Sequence, residues 1–82
     1  MVRITMRYFA QCRGLAGCDD ESFELPARTD VAAVWAAVAA RHAALVGLLP
    51  HCRLAVREAF ARGAVELAEG DELAVIPPVS GG

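Results

Sequence analysis

The chain ends with the sequence ELAVIPPVSGG, residues 72–82, and this stretch contains both the end of a folded domain and an unusual tail. Residues 73–76 form an apolar run with the length of a β-strand. Pro77 and Pro78 then stop any ladder pairing, because neither has a backbone N–H and each holds φ near about −65°. We therefore predict that the last strand ends at Ile76 and that an extended arm follows it.

The predicted arm ends in a diglycine, Gly81-Gly82, and we place the domain at residues 1–76 and the C-terminal diglycine tail at residues 77–82. A terminal Gly-Gly is often only a frayed end. A proline pair at its root favours a functional arm, because a frayed end needs no stiffener. Glycine also lets a backbone approach another surface closely. We interpret the Gly82 carboxylate as a group that a partner activates, for example as an acyl-adenylate.

Composition excludes nucleic-acid binding as the main role. The 82 residues, 56% of them hydrophobic, correspond to one domain. All eight basic residues are arginines, scattered along the chain and balanced by ten acids to a net charge of −2. Phosphate binding needs a basic stripe, which is absent from the sequence. Because there is no lysine, any lysine chemistry at the tail must come from a partner.

No stretch of the sequence predicts a leader or a membrane span. Met1 is followed directly by an alternating strand pattern, with no apolar signal region. The longest apolar run, residues 31–40, is too short to cross a bilayer. We expect a cytoplasmic protein with no membrane contact.

Three cysteines occur at positions that do not predict a disulfide framework or a metal site. Cys12, Cys18 and Cys52 are an odd number and lack CxxC spacing. His42 and His51 are not at a ligand spacing with them. We interpret the cysteines as reduced thiols that act as small hydrophobic residues, and we expect no bound metal.

Hydrophobic periodicity predicts an α+β domain. Asp30 is the expected N-cap of the main helix, whose buried stripe contains Val34 and Val38, while Ala37 should face water. The predicted segments are a strand at 2–8, a helical turn at 9–16, a polar turn at 18–21, a strand at 22–25, the helix at 31–42, a leucine-rich connection at 43–52, a strand at 53–57, an irregular stretch with a short strand at 60–67, a turn at 69–71 and a last strand at 72–76.

Two segments resemble a known family. The ending DELAVIPPVSGG, residues 71–82, is similar to the C-terminus of the molybdopterin synthase small subunits, in the MoaD/ThiS group of sulfur-carrier proteins. The segment RYFAQCRGLAG, residues 7–17, resembles the first strand and the following turn of that group. One departure is Arg57-Glu58-Ala59, where the family usually has an Asn-x-Glu type turn.

The resemblance implies a ubiquitin-like β-grasp, a mixed sheet with one main helix packed on one face and the last strand parallel to the first. It also implies that an ATP-dependent activating enzyme adenylates Gly82 and that a sulfur donor converts it to a thiocarboxylate. The tail, with Pro77, Pro78, Val79, Ser80 and Gly81, then enters the large subunit of molybdopterin synthase and donates sulfur to cyclic pyranopterin monophosphate.

The same resemblance implies a heterotetramer of two carriers on a dimer of large subunits, in which the carrier is a sulfur-donor subunit and not an enzyme alone. The chain should bind no cofactor, since the activating enzyme uses the ATP. By resemblance and position, the docking candidates are Phe9, Arg13, Leu54 and Val75, although all but Arg13 are core candidates too.

Two other functions fit the same tail. A ubiquitin-like protein modifier would join Gly82 to lysines of other proteins. A carrier for thiazole or thio-nucleoside synthesis would use the same thiocarboxylate, although the length and the PPVSGG ending argue against the thiazole carrier.

Overall fold

The computed structural model describes residues 1–79. In that part of the chain, seven strands and two α-helices alternate in the order expected of an α+β domain. They are β1 (Val2–Tyr8), α1 (Gln11–Ala16), β2 (Asp20–Leu25), β3 (Arg28–Asp30), α2 (Val31–Arg41), β4 (Arg53–Val56), β5 (Ala59–Phe60), β6 (Ala64–Glu66) and β7 (Glu72–Ile76), with two 3₁₀ turns at Ala43–Leu45 and Leu49–His51.

The main sheet has five strands in the order β2-β1-β7-β4-β5. β1 forms an antiparallel hairpin with β2 and pairs in parallel with β7, so that Thr5 lies opposite Glu72 and Tyr8 opposite Val75. β7 pairs with β4 in the antiparallel direction. The predicted mixed sheet, with the last strand in its centre and parallel to the first, is confirmed, and so is the ubiquitin-like fold class.

One face of this sheet is covered and forms the hydrophobic core. Because successive side chains in a strand point to opposite faces, alternate residues of each strand enter this core. The helix α2 and the 3₁₀ turns supply the other side. The buried residues are Ile4, Met6, Tyr8, Cys12, Phe23, Leu25, Val34, Val38, Leu45, Leu49, Leu54, Val56, Val65, Leu67, Leu73 and Val75.

The main helix begins as predicted. The Asp30 carboxylate accepts a hydrogen bond from the backbone N–H of Ala33 at 2.7 Å, which satisfies one of the free donors at the helix start. Val34 and Val38 are fully buried, as expected. The prediction that Ala37 faces water was wrong, because Ala37 is half-buried against the core. Ala36, one position earlier, is the exposed residue.

The structure departs from the predicted elements in two places. The prediction of a polar turn at 18–21 was wrong for its last two residues. Asp20 and Glu21 pair with Arg7 and Met6 and belong to strand β2 of the hairpin. Backbone hydrogen bonds of this kind do not depend on side-chain polarity. The short strand expected near Val65 is confirmed as β6, but its partner β3 was not predicted, and the two form a second, two-stranded sheet.

Arg57 and Glu58 form a two-residue turn between β4 and β5, at the position where the sequence departs from the family pattern. Both have positive φ, 49° and 67°, as a type I′ hairpin turn requires. The Arg57 guanidinium is held by the Asp71 carboxylate and by the carbonyl of Glu66 at 3.3 Å. These contacts fix the turn although neither residue is the glycine or asparagine that usually favours positive φ.

Candidate functional site

The root of the predicted tail leaves the middle of the sheet. β7 is the third of five strands, and Ile76 is its last residue. Pro77 is half-buried, whereas Pro78 is exposed and Val79 is 94% exposed. The predicted tail residues Ser80, Gly81 and Gly82 lie outside the described residues. The arm therefore starts at a strand that is fixed by neighbours on both sides.

The sheet face opposite α2 is open beside this root. Leu73 and Val75 point into the core, so Ala74 and Ile76 point to the open side. Ala74 lies opposite Ala55 of β4, and Ile76 lies opposite Arg53. Ala55 in turn lies opposite Phe60 of β5. The small side chains of Ala55 and Ala74 leave a shallow depression between the larger side chains of this face.

We call this surface the outer-face patch and define it by Phe9, Ala55, Phe60, Ala74 and Ile76. Phe9 is 39% exposed and Phe60 is 55% exposed, which is unusual for large aromatic side chains. A groove of about 520 Å³ lies over part of the patch, lined by Phe9, Ala55 and Ala74 among others. Exposed apolar surface grouped in this way is typical of a protein–protein contact.

Charged groups border the outer-face patch. The Arg7 guanidinium lies 5.6 Å from the centre of the Phe9 ring and 3.4 Å from a carboxylate oxygen of Glu72. The Arg53 guanidinium lies 4.5 Å from the centre of the Phe60 ring. These cation–π contacts orient both aromatic rings at the surface. An apolar centre with a charged border matches the general anatomy of a protein interface.

The structure divides the predicted docking residues into two groups. Phe9 and Arg13 are exposed, and Arg13 lies 3.7 Å from the Asp19 carboxylate. The expectation for Leu54 and Val75 is corrected, because their side chains are 1% and 0% exposed and belong to the core.

The residues that sequence reasoning missed are Phe60 and Ile76. Both side chains lie on the open face, whereas Leu54 and Val75 lie on the core face of the same sheet. The alternation of side chains along a strand could have identified them, since the residue after a core position faces the opposite side of the sheet. Ile76 follows the core residue Val75 directly.

Three potential metal-ligating residues meet at the other side of the sheet. The ligand atoms of Cys18, Glu21 and His42 all lie within 4.8 Å of one another. Sequence spacing did not reveal this cluster, because Cys18 precedes β2, Glu21 lies within it and His42 follows α2. The hairpin of β1 and β2 and the end of α2 bring the three together.

Glu21 is the centre of this cluster. Its carboxylate accepts hydrogen bonds from the Tyr8 hydroxyl at 2.5 Å and from Arg41 at 3.3 Å, and it also contacts the Nε2 atom of His42. Burial opposes ionisation of Glu21, but the hydrogen bonds from Tyr8, His42 and Arg41 outweigh it and lower the pKa of the carboxyl group. The group is therefore a carboxylate at neutral pH.

The other two cysteines form a separate pair. The Sγ atoms of Cys12 and Cys52 lie 3.8 Å apart, and Cys12 is fully buried. Burial raises the pKa of Cys12, and burial together with the Cys12 thiol raises the pKa of Cys52 to about 12. Thiols of this kind are weak nucleophiles at neutral pH, which agrees with their interpretation as small hydrophobic residues.

Comparison with known proteins gives the family. Residues 6–82 match the ThiS family. The chain belongs to the ThiS family. It is 35% identical to the molybdopterin synthase sulfur carrier subunit of Chlamydomonas reinhardtii, over 99% of this chain and 100% of that protein.

Two solved structures share the fold. The putative molybdopterin converting factor, subunit 1, from Pyrococcus furiosus superposes with a TM-score of 0.84 at 30% identity, over 96% of this chain and 100% of that one. SAMP1 from Haloferax volcanii superposes with a TM-score of 0.82 at 26% identity, over 98% of this chain and 99% of that one. Across residues 1–79, no helix of this ThiS-family chain is long and apolar enough to span a membrane.

Proposed function

We propose that this chain is the sulfur-carrier subunit of a molybdopterin synthase. The observation that carries the proposal is the position of the tail root: β7 lies at the sheet centre, and its end adjoins the outer-face patch. We expect a partner that covers the patch to lie next to this root and to receive the residues that follow Val79. Relatives that match the chain over its full length are named molybdopterin synthase sulfur carrier subunit.

The chemistry is confined to the terminal carboxylate. In the activating step, the Gly82 carboxylate attacks the α-phosphorus of ATP, which releases pyrophosphate and leaves an acyl-adenylate. A sulfur nucleophile supplied by a donor then displaces AMP, and the terminus becomes a thiocarboxylate. In the transfer step, the thiocarboxylate sulfur bonds to a carbon of cyclic pyranopterin monophosphate and displaces an oxygen substituent from that carbon. Water then cleaves the acyl–sulfur bond, which leaves the sulfur on the pterin and returns the Gly82 carboxylate.

This chain contributes the positioning and not the catalytic groups. Pro77 and Pro78 restrict the arm, because proline fixes φ and limits the residue before it. Gly81 fits a channel shaped for a bare backbone. The partners are an ATP-dependent activating enzyme, a sulfur donor and the large subunit. Two carriers on a dimer of large subunits form a heterotetramer in the cytoplasm. Sulfur transfer itself requires no cofactor bound to this chain, since the activating enzyme uses the ATP.

The test is sulfuration of the pterin in a reconstituted system with activating enzyme, ATP, a sulfur source and large subunit. Deletion of Gly82, or Gly81→Phe, should abolish transfer, since a misplacement of about 1 Å can cost roughly a hundredfold in rate. Thermal melting of both variants should match the unaltered chain. Intact mass gives a second measure, because replacing one oxygen with sulfur adds about 16 Da. Normal sulfuration by the Gly82 deletion would overturn the proposal.

A second candidate function is a ubiquitin-like protein modifier, which the similarity to SAMP1, a small archaeal modifier protein, favours. The activated Gly82 would then react with a lysine amine of another protein. Mass spectrometry of cellular proteins should distinguish the two functions, since only a modifier leaves Gly82 in isopeptide linkage. Sulfur transfer in thiazole or thio-nucleoside synthesis is a further alternative, and it predicts sulfuration of a different acceptor.

A further inference from the structure

We propose that Cys18, Glu21 and His42 form a binding site for a divalent cation of the zinc class. The site lies between the β1–β2 hairpin and the end of α2, on the helix side of the sheet and away from the outer-face patch. It is independent of the sulfur-carrier function, because its three ligands belong neither to the tail nor to the patch.

The three donor atoms are already close. They lie within 4.8 Å of one another. Zinc bound at about 2.0–2.3 Å in a tetrahedral site separates its ligand atoms by roughly 3.3–3.8 Å. Zinc binding therefore requires the more distant donor atoms to approach by about 1–1.5 Å and the Nε2 atom of His42 to move away from Oε2 of Glu21, which it contacts. Side-chain rotation can provide both movements for residues that are half-buried. A fourth position remains for water or an external ligand.

The donor set selects the cation. A thiolate, an imidazole and a carboxylate together suit zinc, whereas calcium and magnesium require oxygen ligands. When the Zn–S bond forms, the Cys18 thiol releases its proton to solvent, and the imidazole of His42 binds in its neutral form through a ring nitrogen lone pair. The Cys18 thiolate and the Glu21 carboxylate offer two negative charges to the cation, while Arg41 keeps its ion pair with Oε1 of Glu21.

Groups around the cluster orient its carboxylate. The Tyr8 hydroxyl donates to Oε2 of Glu21, and Arg41 binds Oε1 and the carbonyl of Ser22, the latter at 2.7 Å. The Arg41 guanidinium also lies 3.8 Å from the centre of the Phe23 ring, and this contact holds it beside Oε1 of Glu21. Hydrogen-bonded partners of this kind fix the direction of a metal ligand.

The experiment measures Zn²⁺ binding to the reduced full-length chain by calorimetry and uses Co²⁺ as a spectroscopic probe. We expect one ion per chain and a thiolate-to-cobalt charge-transfer band. Cys18→Ser should remove the band and weaken Zn²⁺ binding by more than the roughly 10–100-fold that loss of an outer-shell partner costs. His42→Gln should weaken binding similarly, and circular dichroism checks that both variants fold.

The matched control is Cys52→Ser, because Cys52 is also half-buried but lies outside the cluster and pairs with Cys12. This variant should bind Zn²⁺ and give the cobalt band like the unaltered chain. The proposal is overturned if the unaltered chain shows no cobalt band, if Cys18→Ser binds Zn²⁺ as tightly as the unaltered chain, or if the band depends on Cys52 instead.

Discussion

The two faces of the five-stranded sheet come from the same strands and have opposite roles. On the inner face, Leu54, Leu73 and Val75 are at most 1% exposed. On the outer face, their neighbours Ala55, Ala74 and Ile76 are only half-buried and border exposed aromatic rings. The buried side chains are concentrated on one face, the apolar surface that we propose for partner binding lies on the other, and an offset of one residue separates them.

This difference explains why one chain can hold a stable domain and still present apolar surface. Burial of a valine or leucine side chain contributes about 1.5–3 kcal/mol, so the inner face supplies the folding free energy. The outer-face patch adds little to folding in the isolated chain. Its side chains are therefore available for a partner, and substitutions should separate the two faces clearly.

The largest effect should come from a charge on the inner face. Val75→Asp places an unpaired carboxylate at a fully buried position, which costs several kcal/mol. This cost is comparable to the free energy of unfolding of a whole domain, about 5–15 kcal/mol. We expect the variant to be largely unfolded by circular dichroism at 25 °C.

Ile76→Asp is the matched control, one residue further along and on the outer face. It should lower the free energy of unfolding by no more than about 1 kcal/mol, because its side chain reaches solvent. Similar melting temperatures for the two variants would mean that β7 is paired in the wrong register.

A smaller but clear loss is expected from Leu54→Ala. Truncation of a fully buried leucine leaves a cavity and costs about 2–5 kcal/mol. Urea unfolding measures this loss. Phe60→Ala, on the neighbouring strand β5 but with 55% exposure, should change the unfolding free energy by about 0.5 kcal/mol or less. If Phe60→Ala destabilised the domain as much as Leu54→Ala, the outer-face patch would be part of the core.

Phe60→Ala should instead weaken partner binding. Truncation of an aromatic residue that anchors an interface commonly costs about 2 kcal/mol, or roughly thirtyfold in Kd. Calorimetry with the large subunit and with the activating enzyme measures this loss. Leu15→Ala is the control, because Leu15 is 44% exposed on α1 and lies outside the patch. Equal loss of affinity in both variants would remove the patch as the docking surface.

The sequence was sufficient for most of the fold and for only part of the site. Alternation in β1 and helical spacing in α2 predicted the main elements, because local periodicity reports burial directly. Family resemblance added the central position of β7. Leu54 and Val75 were candidates for docking and for the core together, and the structure places both in the core.

Contacts between distant segments could not be predicted in this way. The short strand β3 forms only because β6 lies beside it, and its three residues carry no periodicity of their own. The cluster of Cys18, Glu21 and His42 likewise depends on where the hairpin meets α2. Such features are determined by tertiary packing and have no local sequence signal.

The smallest predicted effect concerns the turn that brings Phe60 to the outer face. Glu58 has a φ of 67°, which costs a residue with a β-carbon about 1–2 kcal/mol. Glu58→Gly removes this cost but adds about 0.5–1 kcal/mol of chain entropy on folding. We expect a net gain of about 0.5 kcal/mol, measured as a small rise in the melting temperature.

Glu58→Ala is the control for this gain, because it removes the same charge and keeps the β-carbon. It should leave the melting temperature nearly unchanged. The two-residue turn also fixes the pairing of Ala55 with Phe60, so Glu58→Gly should keep partner affinity intact. A stabilised variant with weaker binding would show that the turn had changed its register and moved Phe60 off the outer face, since a slip of one residue reverses the direction of a strand side chain.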